Sequence, residues 1–218
     1  MDAAARAKIV EVYRRFLKKH GPSVRAVDWV SEETQRVRFQ ALEDVGPWEG
    51  KSVADIGCGL GDFFGFLVDR GHAVRYTGYD ITPEMVDAAR TRYPDPAARF
   101  EVRDILDDAL SPPFDYVVAS GTFNIRTEGH EDFLRRMLTA MYRGCRIAVA
   151  FNVLKPVPAS HPDYEFNKLF YGDFYFDIPT DELVAFCRTL SSRVVLHRED
   201  LTTDSTVFVY KDDEDGPS

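Results

Sequence analysis

The stretch Ser52-Val53-Ala54-Asp55-Ile56-Gly57-Cys58-Gly59-Leu60-Gly61 decides the fold. Its first half is a short apolar run of strand length. Its second half sets three glycines at alternate positions, and an apolar helical segment, 62–70, follows. Glycine lets a backbone turn tightly and approach a ligand with no Cβ in the way. Three such residues directly after a buried strand exceed what a plain strand-to-helix turn needs, so the loop reads as a ligand-binding one.

Outward from this loop the chain alternates between strand and helix. HAVRYTGYD (72–80) is strand-like. Thr82 is placed to cap a helix with Pro83 in its first turn and Glu84 at its positive end. RFEVRD (99–104) and FDYVVAS (114–120) are strands, the second apolar enough to be covered on both faces. A helix is expected over 130–143, with Phe133, Leu134, Met137, Leu138 and Met141 inward, then a strand over CRIAVAFNVL (145–154). Residues 153–178 make a connection far longer than the usual ~4–6 residues. A helix over 180–190 leads to SRVVLHRED (192–200) and STVFVYK (205–211), whose short link permits only an antiparallel hairpin. Before the glycine loop, helices are expected over 2–20, ended by Gly21-Pro22, and over 32–45 behind a Ser31 cap. The reading is an α/β, Rossmann-like, doubly wound fold: a mostly parallel seven-stranded sheet with a terminal antiparallel hairpin and an N-terminal helical cap. The expected division is a cap over 1–45, a main domain over 46–211 and a disordered acidic tail over 212–218.

The 218 residues fit one domain with extensions. With 36 acidic and 27 basic residues the net charge is −9, and no basic face for nucleic acid is evident. Cys58, Cys145 and Cys187 are odd in number, widely spaced and without a CxxC pair, against both a zinc site and a disulfide framework. The first twenty residues lack the apolar stretch of a signal peptide, and no run of ~18 apolar residues is present. The expectations are a cytoplasmic protein that acts on a small molecule, with no metal, nucleic-acid or membrane partner. Oligomeric state is not legible.

Asp80 ends the second strand, 23 positions after Gly57, a spacing suited to a carboxylate accepting from ribose hydroxyls. Asp104 ends the third strand, where it can accept from an adenine amino group. With these residues in place, VADIGCGLG, YTGYDITPEMVDAAR, RFEVRDIL and FDYVVASGTFNI resemble, in order and spacing, the class I S-adenosylmethionine-dependent methyltransferases over residues 51–153. The resemblance implies S-adenosylmethionine as cofactor. It implies that Asp55 and the loop Gly57, Cys58, Gly59 and Gly61 receive the methionine end. Asp80 would bind ribose, Ile81 flank adenine, Asp104 and Ile105 meet the adenine edge, and Ser120 and Gly121 line the sulfonium side. HGPSVRAVDWVSEETQRVRFQAL is similar to a segment preceding the loop in a group of small bacterial methyltransferases, which implies that Trp29 and Arg38 cap the cofactor.

Thr122, Asn124, Asn152, Tyr164 and Tyr171 are the expected substrate contacts, since they fall at the fourth and fifth strand ends and in the long connection. Seven aromatics between Tyr164 and Phe176 read either as a lid or as a hydrophobic layer of the fold. His161 and then His130 are the expected general bases, if the acceptor must lose a proton. The competing readings are a nicotinamide oxidoreductase and a non-catalytic cofactor-binding subunit. Against the first, Gly61 follows Gly59 by two positions where the dinucleotide pattern needs three.

Overall fold

The computed structural model describes residues 3–157, 159, 174–197 and 203–212. Seven strands form one sheet: β1 (Ser52–Ile56), β2 (Arg75–Asp80), β3 (Ala98–Val102), β4 (Phe114–Ala119), β5 (Cys145–Leu154), β6 (Val194–Leu196) and β7 (Asp204–Tyr210). Their spatial order is β3-β2-β1-β4-β5-β7-β6. The first five are parallel, while β7 runs antiparallel to both β5 and β6. Strand order reverses between β1 and β4, so the crevice where such sheets bind ligands opens at the C-terminal ends of these two strands.

The helices are α1 (Ala3–His20), α2 (Glu32–Glu43), α3 (Asp62–Asp69), α4 (Pro83–Arg92), α5 (His130–Arg143) and α6 (Thr180–Cys187), with a short 3-10 turn at Val24–Val27. Successive residues of the central strands feed opposite layers, as the two-residue strand period requires. Val53 and Val118 join Phe39, Leu42, Phe63 and Leu67 beneath α2 and α3. Ala54 and Val117 join Leu134, Met137, Met141 and Leu183 beneath α5 and α6. Trp48 closes the first layer. It is 2% exposed, its ring centre is 4.9 Å from that of Tyr116, and its indole N–H donates to the Glu43 carbonyl at 2.8 Å.

Ser31 caps α2 as expected. Its side chain accepts from the Thr34 amide at 3.2 Å, and the Thr34 hydroxyl accepts from the Ser31 amide at the same distance. The sixth helix stops at Cys187, and Thr189 to Ser191 continue only as turn hydrogen bonds. Of the expected strand over 192–200, Val194–Leu196 form β6 among the described residues, and backbone hydrogen bonds to β7 extend to Arg193 and His197. Asp212 stands at the expected start of the acidic tail. Its carboxylate accepts from Ser191 and Ser192, which holds it to the fold. Residues 213–218, like His161, Tyr164 and Tyr171, lie outside the described residues.

The N-terminal segment is fastened to the sheet at both ends. Arg6 pairs with Asp104 at 2.7 Å and with Asp107, Lys8 donates to the Arg126 carbonyl at 2.7 Å, and Arg14 pairs with Glu84 at 2.6 Å. Arg38 of α2 pairs with Asp204, the first residue of β7, whose side chain is 1% exposed. Removing one member of a buried pair strands the other charge. Arg38→Met is therefore expected to lower stability by about 3–5 kcal/mol in urea denaturation, and Arg38→Met/Asp204→Leu to recover most of that loss.

Candidate functional site

The glycine loop leaves β1 in a left-handed conformation that side chains disfavour. Gly57, Gly59 and Gly61 have φ of +72°, +52° and +76°. A Cβ on Gly57 would sit 2.6 Å from the Thr122 hydroxyl, and one on Gly59 would sit 2.8 Å from Val27. Glycine is thus required twice over, by dihedral and by space. The loop is also tied from the side. The Asp80 carboxylate accepts from the Gly59 amide at 3.0 Å with one oxygen and from the Thr82 amide at 2.8 Å with the other.

This loop floors a cavity of about 960 Å³, open mouth included, at the strand-order reversal. Asp55, Gly57, Cys58, Gly59, Asp80, Ile81, Asp104, Ile105, Ser120, Gly121 and Trp29 all border it, as does Thr122. Gly61 is set back from it, capping α3 against Phe100. One end is apolar, with Ile81, Met85, Ile105 and Met137, and carries the Asp104 carboxylate. The loop end carries Asp55, which is 3% exposed and accepts from the Tyr76 hydroxyl. Burial pushes the Asp55 carboxyl up to about 7, and the nearby Asp80 and Asp62 add to the rise while the Tyr76 hydrogen bond opposes it. Asp80 is raised in the same direction, by burial first, against the amides that bond it. Burial and the same carboxylates hold the Cys58 thiol far above its ordinary range, so it is a packing group beside Gly78 and not a nucleophile.

Other expected residues stand elsewhere. Arg38 does not border this cavity. It is turned to Asp204 and stacks over the Trp29 ring at 4.8 Å, in the wall of an adjoining groove that Asn124 also lines. Asn152 is corrected from a substrate contact to a clamp. It is fully buried, accepts from the Gly121 amide at 2.8 Å and donates to the Ser120 hydroxyl at 3.2 Å, so both ends of its amide are used in shaping the turn. His130 is corrected from a base to a buried strut. It is 4% exposed, one ring nitrogen meets the Phe123 carbonyl at 2.9 Å and the other meets Thr127 at 3.2 Å, and Phe176 stacks on it at 4.1 Å. Burial lowers its pKa to about 4.

Of the expected aromatic run, Phe174, Tyr175 and Phe176 are described, and they divide between the two readings. Phe176 belongs to the core, while Tyr175 donates to Asp28 at 2.7 Å and faces the adjoining groove. No local pattern pointed to Arg6, which takes the Asp104 carboxylate from 98 positions away. Tyr13 and Ile9 read as core, yet they roof the cavity, and Gln35 reaches its edge to donate to Asp62 at 3.1 Å. Burial, then Asp28 and Asp80, keep the Tyr13 phenol protonated.

Comparison with known proteins gives one answer. Residues 53–144 match the family described as a methyltransferase domain. The putative methyltransferase Rv1506c of Mycobacterium tuberculosis is 41% identical over 75 residues, 34% of this chain and 43% of that protein. Trans-aconitate 2-methyltransferase of Rhodococcus jostii is 35% identical over 111 residues, 51% of this chain and 42% of that one. The chain thus spans less than half the length of these relatives. Among solved structures, magnesium protoporphyrin IX methyltransferase of Synechocystis with bound SAH superposes with a TM-score of 0.65 over 95% of this chain and 100% of that one, at 14% identity, which is a likeness of fold. The nicotinamide reading falls with the family match. The glycine loop, the carboxylates at the ends of β2 and β3, and the matched segment agree: residues 53–144 are a methyltransferase domain, and the chain is similar to the class I S-adenosylmethionine-dependent methyltransferases.

Proposed function

We propose that the chain transfers a methyl group from S-adenosylmethionine to an oxygen or nitrogen of a small molecule, with residues 1–45 as cap and 46–211 as catalytic domain. The observation that carries this is the cradle at the end of β1. Its glycines admit no Cβ, and Asp55, Asp80 and Asp104 stand around one cavity with an apolar end. That donor set fits an adenosyl group bearing a cationic amino-acid tail.

S-adenosylmethionine, when bound, supplies an electrophilic methyl group on a sulfonium. The protein's task is then to align an acceptor with that methyl and to exclude water. In this assignment Asp80 accepts from the ribose and Asp104 and Ile105 hold the adenine edge against Ile81. Asp55 faces the ammonium of the tail. Ser120 and Gly121 flank the sulfonium, beneath the Trp29 ring, which lies 3.0 Å from where a Cβ on Gly121 would be. Thr122 and Asn124 face the acceptor. Trans-aconitate 2-methyltransferase is named for a small molecule, which supports a small acceptor here. No helix among the described residues is long and apolar enough to cross a membrane. A cytoplasmic setting is part of the proposal.

The direct test is calorimetric titration of the full chain with S-adenosylhomocysteine and NAD: binding of the first alone is expected, and binding of NAD alone would overturn the assignment. Asp55 then sets a pH dependence. Its carboxyl, raised to about 7, is neutral below that pH and an anion above it. An anion favours the ammonium, so affinity for S-adenosylhomocysteine should rise up to about tenfold from pH 6 to pH 8, and Asp55→Asn should flatten the rise. In the empty protein the same shift has the opposite sense, since the stability it contributes at low pH is lost as pH climbs through about 7.

His130 gives a stability prediction. Its folded pKa of about 4 lies below the unfolded value, so the unfolded chain binds the proton first as pH falls. Stability should decline by at most about 1.4 kcal/mol per pH unit below about 6.5, and His130→Gln should remove that share of the slope between pH 7 and pH 5.

A further inference from the structure

The turn after β4 carries a side chain whose bonding is incomplete. The Asn124 Oδ1 atom is buried and meets no donor among the described residues. The backbone around it is fixed, since the Phe176 amide donates to the Asn124 carbonyl at 2.7 Å and Ile125 pairs with Tyr175. The side chain is therefore held with its oxygen unmet, a state that costs free energy until a donor arrives. Asn152 shows the contrast, because both ends of its amide are spent.

Asn124 stands where two spaces meet. A Cβ on Gly121, which borders the first cavity, would lie 3.6 Å from the Asn124 amide nitrogen and 3.0 Å from the Trp29 ring. Trp29 borders both that cavity and the adjoining groove, and Asn124, Asp28 and Tyr175 line the groove with it. Asp28 closes the 3-10 turn with a left-handed backbone, φ +66°. Its carboxylate accepts from the Tyr175 hydroxyl at 2.7 Å, which uses one of its several lone pairs. Burial raises the Asp28 carboxyl, against that bond. Phe16, Trp29 and Tyr175 add three rings to the groove's wall. Lys19 and Arg25 also line the groove, but they are exposed and screened by solvent, while Arg38 is paired with Asp204.

We propose that the methyl acceptor is an amine on an apolar body, bound in this groove with one N–H donated to Asn124 Oδ1 and its ammonium form drawn to Asp28. The inference rests on the assignment of the first cavity to S-adenosylmethionine, since that places the methyl group beside Gly121. A carboxylate has no hydrogen for either acceptor and is repelled by Asp28. A hydroxyl has one hydrogen for two acceptors. An ammonium serves both, and aromatic walls favour it further. The bound ammonium gives one proton to Asp28 and becomes a neutral amine. Its lone pair then forms the N–C bond as the C–S bond breaks and the bonding pair goes to sulfur. The products are an N-methylammonium and S-adenosylhomocysteine. No histidine is needed, in keeping with the spent ring of His130.

The full chain is titrated calorimetrically with S-adenosylhomocysteine and, once saturated, with phenethylamine, phenethyl alcohol and phenylacetate, three probes that share a ring. The amine should bind best, the alcohol about tenfold more weakly and the carboxylate more weakly still. Asn124→Leu should weaken the amine by about tenfold, whereas Asn124→Asp, which keeps an oxygen acceptor in place, should retain it. Asparagine tolerates the left-handed backbone of residue 28, so Asp28→Asn should keep the turn and erase the amine's advantage over the alcohol. The proposal is overturned if none of the three probes binds the saturated chain or if the alcohol or the carboxylate binds as tightly as the amine. It is equally overturned if Asn124→Leu, shown folded by urea denaturation, binds the amine unchanged. Failure of S-adenosylhomocysteine itself to bind removes the cofactor assignment and this inference with it. Its binding with the probes in another order removes this inference alone.

Discussion

Everything at the site depends on β1 ending in a left-handed turn. A residue with a Cβ at Gly57 would collide with Thr122, and one at Gly59 with Val27. The loop therefore packs between the turn after β4 and the N-terminal segment, and its amides at Gly57, Cys58 and Gly59 are taken by the Tyr79 carbonyl and the Asp80 carboxylate. That placement lets Asp80 reach the Gly59 amide from the neighbouring strand, and it leaves Asp55 enclosed beneath the loop, where among the described residues Tyr76 bonds its side chain. The elevated Asp55 and Asp80 carboxyls are a product of the same enclosure. The sheet gives the turn its rigidity. Val53 and Ala54 are wholly buried on opposite faces, so β1 cannot shift to relieve a strained loop.

The sequence disclosed what depends on short-range physics. Period-two and helical spacing located the strands and helices, the Ser31 cap marked the start of α2, and the short link before Ser205 implied the antiparallel end. Glycine spacing and the acids closing β2 and β3 pointed to the cavity. What stayed hidden was pairing between distant segments. Arg6 meets Asp104, Arg38 meets Asp204 across 166 positions, and Tyr175 meets Asp28, and no local pattern carries such partnerships.

Residue type misled in a specific way. Histidine and asparagine near strand ends suggest chemistry, yet His130 and Asn152 spend both their polar ends on the loop after β4, Asn152 on the Gly121 amide and the Ser120 hydroxyl. They shape the turn that carries Ser120 and Gly121. Conversely, Ile9 and Tyr13 show only an apolar periodicity, and they cover the site because α1 is laid over it by ion pairs at both ends.

The placement of β7 between β5 and β6 has a consequence for how the molecule is made. A ribosome delivers β6 before β7, so β6 emerges with its sheet partner still unsynthesised, and β5 waits with one edge unpaired. Asp204–Tyr210 supply the pairing partner of both β5 and β6, so neither edge is satisfied before that segment is made. Until then the nascent chain exposes two unsatisfied edges, the condition under which strands recruit neighbours from other chains. The same late strand delivers Asp204 to Arg38, so the N-terminal segment gains its buried ion partner only when the last strand arrives.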